Sequence, residues 1–397
     1  MNEINNLVGL DEGIKYEKSK IKPKFGSYRG FHHVEMIVGN AYQAAMYYST
    51  CFGMNIIAYK GLETQSNEYS SYVLQTGKVI FVLTSPLNIN EKKYNAFLSR
   101  HGDFIRDVAF SVDNSKLLYE HAITNGAKSI LAPTEIVDEF GKVIISTVTA
   151  FGNVVHSFIE KKGYVGKFLP GYSYNKIITN TLSSKLPDTR MGYIDHAVAN
   201  EQKNNLKNTV DYYIKTLGFH RFWSIDDKLL QTDSSGLRSV VVTDYDETIK
   251  IPVNEPAEGL KGTSQVQEFV DFHGTGGVQH IAICCDNLEV TVRAFKDRGG
   301  HILPIPPDYY DNLDKIISKK NLDFTVSIEV MKELDMVVDF DQNGYILQVF
   351  TRPLSNRPTA FIELIQRNNH NGFGAGNFKS LFSAIEAQQK LRHTLYQ

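Results

Sequence analysis

The chain contains copies of itself. Residues 107–126, DVAFSVDNSKLLYEHAITNG, align without a gap on residues 280–299, HIAICCDNLEVTVRAFKDRG. Each copy runs from a strand-like apolar stretch through an Asp-Asn pair into a helical pattern that ends at glycine. Asp/Asn is a helix-start signal and glycine a helix stop. A second pairing lies upstream: YYSTCFG at residues 47–53 matches YYIKTLG at residues 212–218, each following a strand-like segment, HHVEMIVGN (32–40) and YIDHAVANE (193–201). β-rich stretches such as SSYVLQTGKVIFVLTS, LRSVVVTD and ILQVFTR come after the helices. Self-similarity at a fixed period restricts the chain to repeat architectures. The expectation is therefore an α+β fold of two open β-barrel domains, each built from two βαβββ units. Curled sheets of this kind enclose a cavity suited to a small ligand.

A spacer at residues 163–185, with Pro170-Gly171 and a Ser/Thr/Asn-rich continuation, separates the halves. This gives an N-terminal tail over 1–22, a first barrel over 23–162, a linker over 163–190 and a second barrel over 191–397. A length of 397 residues suits two domains, and 42% hydrophobic with 22% charged residues suits a chain with sizeable cores. The net charge is −2 and no basic run occurs, which points away from nucleic acid and anionic membranes. The first twenty residues lack an apolar run of the kind a signal peptide needs, and no stretch reaches the ~18 apolar residues of a membrane span. Three cysteines, Cys51, Cys284 and Cys285, lack metal-type spacing and suit reduced thiols in a cytoplasmic protein. Neighbouring Cys284 and Cys285 are expected on opposite faces of one strand.

The repeat identifies positions that could carry chemistry. In the second half, His196 lies on the first strand of one unit, His280 on the first strand of the next and Glu363 on the last strand, about one unit apart in sequence. Related strands could gather all three into one barrel. Two neutral imidazoles and one carboxylate form the facial set of non-haem Fe(II) oxygenases, which leaves about three coordination positions open. The first half is an internal control. His33 takes the first-strand position, but Asp107 stands opposite His280 and Ser157 opposite Glu363, so that half is expected to hold no metal. The bland alternatives are core histidines and a buried Glu363 paired with Arg352, Arg357 or Arg367. The remaining histidines show no pattern, and the glycine-rich loops at 274–277 and 372–376 are not dinucleotide-type phosphate loops.

At these residues the sequence resembles the 4-hydroxyphenylpyruvate dioxygenase family of the vicinal oxygen chelate superfamily. The resemblance runs from about Tyr28 onward and is densest from Gly192, through IDHAV around His196, PVNEP (252–256), KGTSQVQEF, GGVQHIA, LQVFT, FIELIQR and GFGAGNF. It implies one Fe(2+) per chain on His196, His280 and Glu363. It also implies a pocket with polar groups at Ser239, Asn254, Gln265, Gln279 and Gln348, and an aromatic wall of Phe350, Phe361, Phe373 and Phe378. Gly374 and Asn377 match the family's C-terminal gate. The implied reaction is that of tyrosine catabolism: 4-hydroxyphenylpyruvate and O2 give homogentisate and CO2 by oxidative decarboxylation, ring hydroxylation and side-chain migration. A homodimer or tetramer is implied as well, and the homodimer is the expectation.

Beyond Asn377, Phe378, Leu381, Phe382 and Ile385 fall on one face of a helix. A terminal helix tied to a barrel by a glycine-rich loop is expected to act as a gate that excludes water during turnover. Two alternatives compete. One is a 4-hydroxymandelate synthase-like enzyme that hydroxylates the benzylic carbon of the same substrate; the other is a non-catalytic ligand-binding protein of the same fold. Product identity separates the first, and metal content the second.

Overall fold

In the computed structural model, residues 14–175, 178–225, 232, 234–257, 261–320 and 324–396 are described. The first half runs β2 (Tyr28–Ile37), α1 (Ala41–Cys51), β3 (Asn55–Lys60), β4 (Tyr69–Thr76) and β5 (Val79–Pro86). Helix α2 (Lys92–His101) leads on to β6 (Phe104–Val112), α3 (Ser115–Thr124), β7 (Ser129–Asp138), β8 (Gly141–Thr149) and β9 (Val155–Glu160). The second half repeats the order with β10 (Met191–Asn200), α4 (Leu206–Leu217), β11 (His220–Ile225), β12 (Leu237–Thr243) and β13 (Lys250–Pro256). Helix α5 (Gln265–His273) connects to β14 (Gly277–Cys285), α6 (Leu288–Asp297), α7 (Pro307–Lys320), α8 (Ile328–Glu333), β15 (Val337–Phe340), β16 (Tyr345–Phe350) and β17 (Phe361–Asn368). Helix α9 (Phe378–Arg392) closes the chain. A short β1 (Ile14–Lys15) belongs to the second half, where it pairs antiparallel with β11.

The strand orders are β3-β4-β5-β2-β6-β9-β8-β7 and β1-β11-β12-β13-β10-β14-β17-β16-β15. In each sheet the first strands of the two units pair antiparallel at the centre and each pairs in parallel with the last strand of its own unit. Among the described residues the outermost strands of a sheet are not joined, so each curled sheet is an open barrel. This is the two-domain α+β architecture that the repeat predicts. Local chemistry repeats with it. Asn114 accepts from Leu117 N at 2.9 Å and Asn287 from Val290 N at 3.0 Å, so equivalent asparagines cap α3 and α6. After both helices the chain turns at glycine, Gly126 (φ +104°) and Gly299 (φ +83°), a conformation that L side chains rarely adopt.

β14 is buried at every position because one face lines the barrel and the other lies under helices. Cys284 and Cys285 accordingly belong to different apolar clusters on opposite faces of the strand, both buried and both free thiols. The connecting segment after β9 is not idle. Phe168 and Leu169 pack into the first barrel with Ala58, Val73 and Val82, and the Phe168 ring lies 5.3 Å from that of His33.

Candidate metal centre

Sheet register explains how three residues far apart in sequence meet. His196 on β10 is opposite Ala282 on β14, and Ala282 is opposite Glu363 on β17. These three therefore form one row across the sheet. His280, two residues before Ala282, points to the same barrel face from the next row, because side chains alternate along a strand. The methyl group of Ala282 leaves the middle of the triangle open. One ligand-type atom from each of His196, His280 and Glu363 lies within 4.8 Å of the others, and all three residues are buried. Glu363 Oε2 is 3.3 Å from His196 Nε2 and 3.1 Å from His280 Nε2.

Neighbouring groups orient each of the three. His196 Nδ1 lies 2.7 Å from Asp195 Oδ1, and the Arg367 guanidinium grips the same carboxylate through Nε and Nη2 at 2.8 and 2.7 Å. His280 Nδ1 meets Gln279 Oε1 at 3.0 Å, and Gln348 Nε2 donates to Glu363 Oε1 at 2.6 Å. With both Nδ1–H groups committed to oxygens, each neutral ring turns an Nε2 lone pair toward Glu363 Oε2. Three acceptors then face one buried point, which is unfavourable without a cation or shared protons. The residues thus fit a divalent metal. In its absence, burial pushes the Glu363 carboxyl up, but hydrogen bonds from His196 and His280 outweigh it and hold the group down at about 2. Burial pushes His196 down, yet Asp195 and Glu363 together raise it, whereas burial prevails at His280 and lowers it. Among the described residues no arginine forms an ion pair with the buried Glu363: Arg367 serves Asp195, and Arg357 donates to the backbone carbonyl of Arg100.

Beside the triad lies a pocket. Of the residues singled out from sequence, Ser239, Asn254, Gln265, Gln279, Gln348, Phe350, Phe373, Gly374 and Asn377 line it together with His196, His280 and Glu363. Phe361 points to the same barrel face but borders the neighbouring space. It stacks on His280 with ring centroids 4.8 Å apart and lines an adjoining pocket, which shares Gln265, Gln279 and Phe350 with the first. The Phe378 side chain lies outside the described residues. Leu381 of α9 reaches the metal-side cavity and Ile385 and Arg392 the adjoining one, so the terminal helix covers both. The Asn377 amide is 2.7 Å from Gln348 Oε1 on one side and 2.7 Å from the Val338 carbonyl oxygen on the other, so its nitrogen can serve either oxygen but not both.

Comparison with known proteins decides the family. The model of the glyoxalase/bleomycin resistance protein/dioxygenase superfamily matches residues 193–349. A 4-hydroxyphenylpyruvate dioxygenase of Xenopus tropicalis is 45% identical over 97% of this chain and 96% of its own length. One from Tetrahymena thermophila is 43% identical over 94% and 93%. The chain belongs to the 4-hydroxyphenylpyruvate dioxygenase family. A solved structure, a mutant of 4-hydroxymandelate synthase from Streptomyces coelicolor, superposes with a TM-score of 0.79 at 26% identity, over 91% of this chain and 99% of that one.

For this member of the 4-hydroxyphenylpyruvate dioxygenase family, sequence reasoning missed several groups. Trp223, Leu237, Val198, Val241 and Pro252 also line the cavity. Nothing in their residue types distinguishes a pocket wall from ordinary core, and only the inward register of β10, β11, β12 and β13 reveals them. Asp195 and Arg367 were missed as a pair, although the Asp-His dipeptide and the arginine four residues after Glu363 were both visible. In the first barrel, His33 faces Ala109 as His196 faces Ala282, and Glu35 faces Asp107 as Val198 faces His280. There the Ser157 hydroxyl and amide both donate to Asp107, and Phe168 fills the space over His33.

Proposed function

We propose that the chain binds one Fe(2+) through His196, His280 and Glu363 and converts 4-hydroxyphenylpyruvate and O2 to homogentisate and CO2. The observation that carries this proposal is the convergence of the three ligand atoms at a buried point beside a cavity walled by amides and phenyl rings. The bound iron would supply O2 activation and the positions on which an aromatic 2-oxoacid chelates. Everything else falls to the protein. Asp195 and the Gln279 carbonyl fix the two imidazole tautomers, and Gln348 holds one carboxylate oxygen of Glu363 so that the other faces the metal. Phe350 and Phe373 offer apolar faces to the phenol ring, while Ser239, Asn254 and Gln265 supply uncharged donors and acceptors. A neutral polar wall leaves the substrate carboxylate free to seek the metal. Leu381 and the rest of α9 exclude water.

The reaction balances without a second oxoacid, because the substrate's own oxoacid group supplies the electrons. One oxygen atom enters the new carboxylate and the other the ring. The likeness to a 4-hydroxymandelate synthase gives a specific reason for a second product. Homogentisate and 4-hydroxymandelate are isomers, so mass alone does not separate them. The test is anaerobic reconstitution with Fe(II), reaction with 4-hydroxyphenylpyruvate in air, and chromatography against both standards. Homogentisate supports the proposal, 4-hydroxymandelate supports the rival, and tight binding without turnover supports a ligand-binding protein. A homodimer and a cytoplasmic location belong to the same proposal, and sedimentation and cell fractionation test them. Among the described residues no helix is long and apolar enough to cross a membrane.

A further inference from the structure

Arg367 occupies a position that orienting Asp195 does not by itself require. Its Nε and Nη2 grip both oxygens of Asp195, whose Oδ1 also receives His196 Nδ1. Its remaining terminal nitrogen, Nη1, donates to the backbone carbonyls of His370 and Gly372 at 3.0 and 2.6 Å. Those carbonyls belong to the connection between β17 and α9. The guanidinium carbon also lies 5.7 Å from the centre of the Phe373 ring, which meets His196 edge to face at 5.3 Å. The connection is conformationally committed, with Asn369 at φ +55° and Gly374 at φ +76°. A planar guanidinium can hold a carboxylate with one edge and carbonyls with the other; an ammonium cannot serve both in fixed geometry.

We propose that Arg367 is a positioning residue that couples the orientation of His196 to the closed conformation of the hinge carrying α9. Opening the hinge removes two acceptors from the guanidinium and loosens its grip on Asp195, and so on the His196 ring. Loosening Asp195 in turn frees the hinge. The coupling is reciprocal because both sides bias one shared group. This inference rests on His196 being a metal ligand, and Co(2+) binding to the wild-type chain tests that separately.

The experiment uses the full chain and two variants, Arg367→Lys and Asp195→Asn, with Co(2+) as the probe. Among the described residues Asp195 has no hydrogen bond of its own to residues 370–374; its contact with them runs through Arg367. Two readouts are needed: the Co(2+) dissociation constant by titration of its visible absorption, and amide hydrogen exchange across residues 370–392. Both variants should weaken Co(2+) binding about 10- to 100-fold, the usual effect of losing a partner that orients a ligand. Both should also speed exchange in the hinge and the start of α9 at least several-fold. Asp195→Asn is decisive. Weaker Co(2+) binding with hinge exchange at the wild-type rate overturns the coupling and leaves Asp195 as a local orienting group. Unchanged Co(2+) binding in Arg367→Lys overturns it from the other side.

Discussion

Glu363 sits 1% exposed among Phe361, Ile362, Leu364 and Ile365, where a lone carboxylate would be costly. Its two imidazole partners make the position tolerable, and a divalent cation makes it favourable. Glu363→Gln keeps the shape and removes the charge. The variant should lose at least about 100-fold in kcat/KM, beyond the range typical of groups that merely orient ligands. Calorimetry should find that added Fe(II) no longer raises its melting temperature, since stabilisation requires differential binding to the folded state. Retained wild-type turnover would remove Glu363 from the metal site. Asp107, at the position equivalent to His280, behaves in the opposite way. Burial lifts its carboxyl to about 7, against the lowering effect of Ser157. Its folded value lies above its unfolded value, so its contribution to stability is fully present below about pH 4 and is lost as pH rises through about 7. Asp107→Asn should abolish that loss, of which the window from pH 5 to pH 8 holds roughly 2–3 kcal/mol at about 1.36 kcal/mol per pKa unit; urea titrations at those two pH values measure it. The ligands were legible from sequence because three ligand-type residues recurred at equivalent places in a repeat. Asp195 and Arg367 were not, because a bidentate pair formed between separate strands leaves no periodic trace.

At the scale of elements, the repeat foretold the strand–helix–strands units and even the asparagine caps. It did not foretell β1, whose two residues are too few to show alternation, nor that residues 168–169 would fill the first barrel. Aromatic residues in a spacer read the same whether they pack or not. The terminal helix was legible as an amphipathic segment, and its placement over the cavities adds a reason for its role. Leu381 and Phe382 are buried; Glu386 accepts from Thr232 and Ser235, and Arg392 pairs with Glu268 at 2.8 Å. β17 ends at Asn368, so a chain ending at Asn369 keeps all three ligands and their strands. Such a truncation should still bind Fe(II), weakened about 10- to 100-fold, because it keeps the ligands but removes Arg367's hinge carbonyls, the Asn377 amide beside Gln348 and the Phe373 ring beside His196. Its kcat/KM should nevertheless fall at least about 100-fold, with O2 consumed in excess of product as water reaches the site. An oxygen electrode alongside product chromatography gives both quantities; tightly coupled full activity would show that α9 is not a gate.

Across the whole molecule, two barrels of one design have diverged in what fills them: a polar and aromatic cavity in the second, the chain's own Phe168 in the first. Asp107→His should therefore leave metal content at one per chain by elemental analysis, because Ser157 supplies no third ligand and Phe168 covers His33. A second bound iron would mean that ligand identity alone controls the site. The halves do not behave as beads on a string. A single apolar cluster runs through both, with Phe52 against Phe295 at 4.9 Å and Phe104 against Phe269 at 5.8 Å, and the Tyr213 hydroxyl meets His156 Nε2 at 2.9 Å. Arg298 seals this contact: it is 7% exposed and donates to the carbonyls of Thr50, Ser183, Leu186 and Pro187 and to the Ser183 hydroxyl. Truncating it strands several buried acceptors, which at about 1 kcal/mol per bond, partly recovered by water, costs about 2–4 kcal/mol. The wild-type chain should then melt in one cooperative calorimetric transition that Fe(II) shifts as a whole. Arg298→Ala should lower that transition and split it, with only the second-barrel component still shifted by Fe(II). Two independent transitions already present in the wild type would mean that the shared core does not bind the halves into one folding unit.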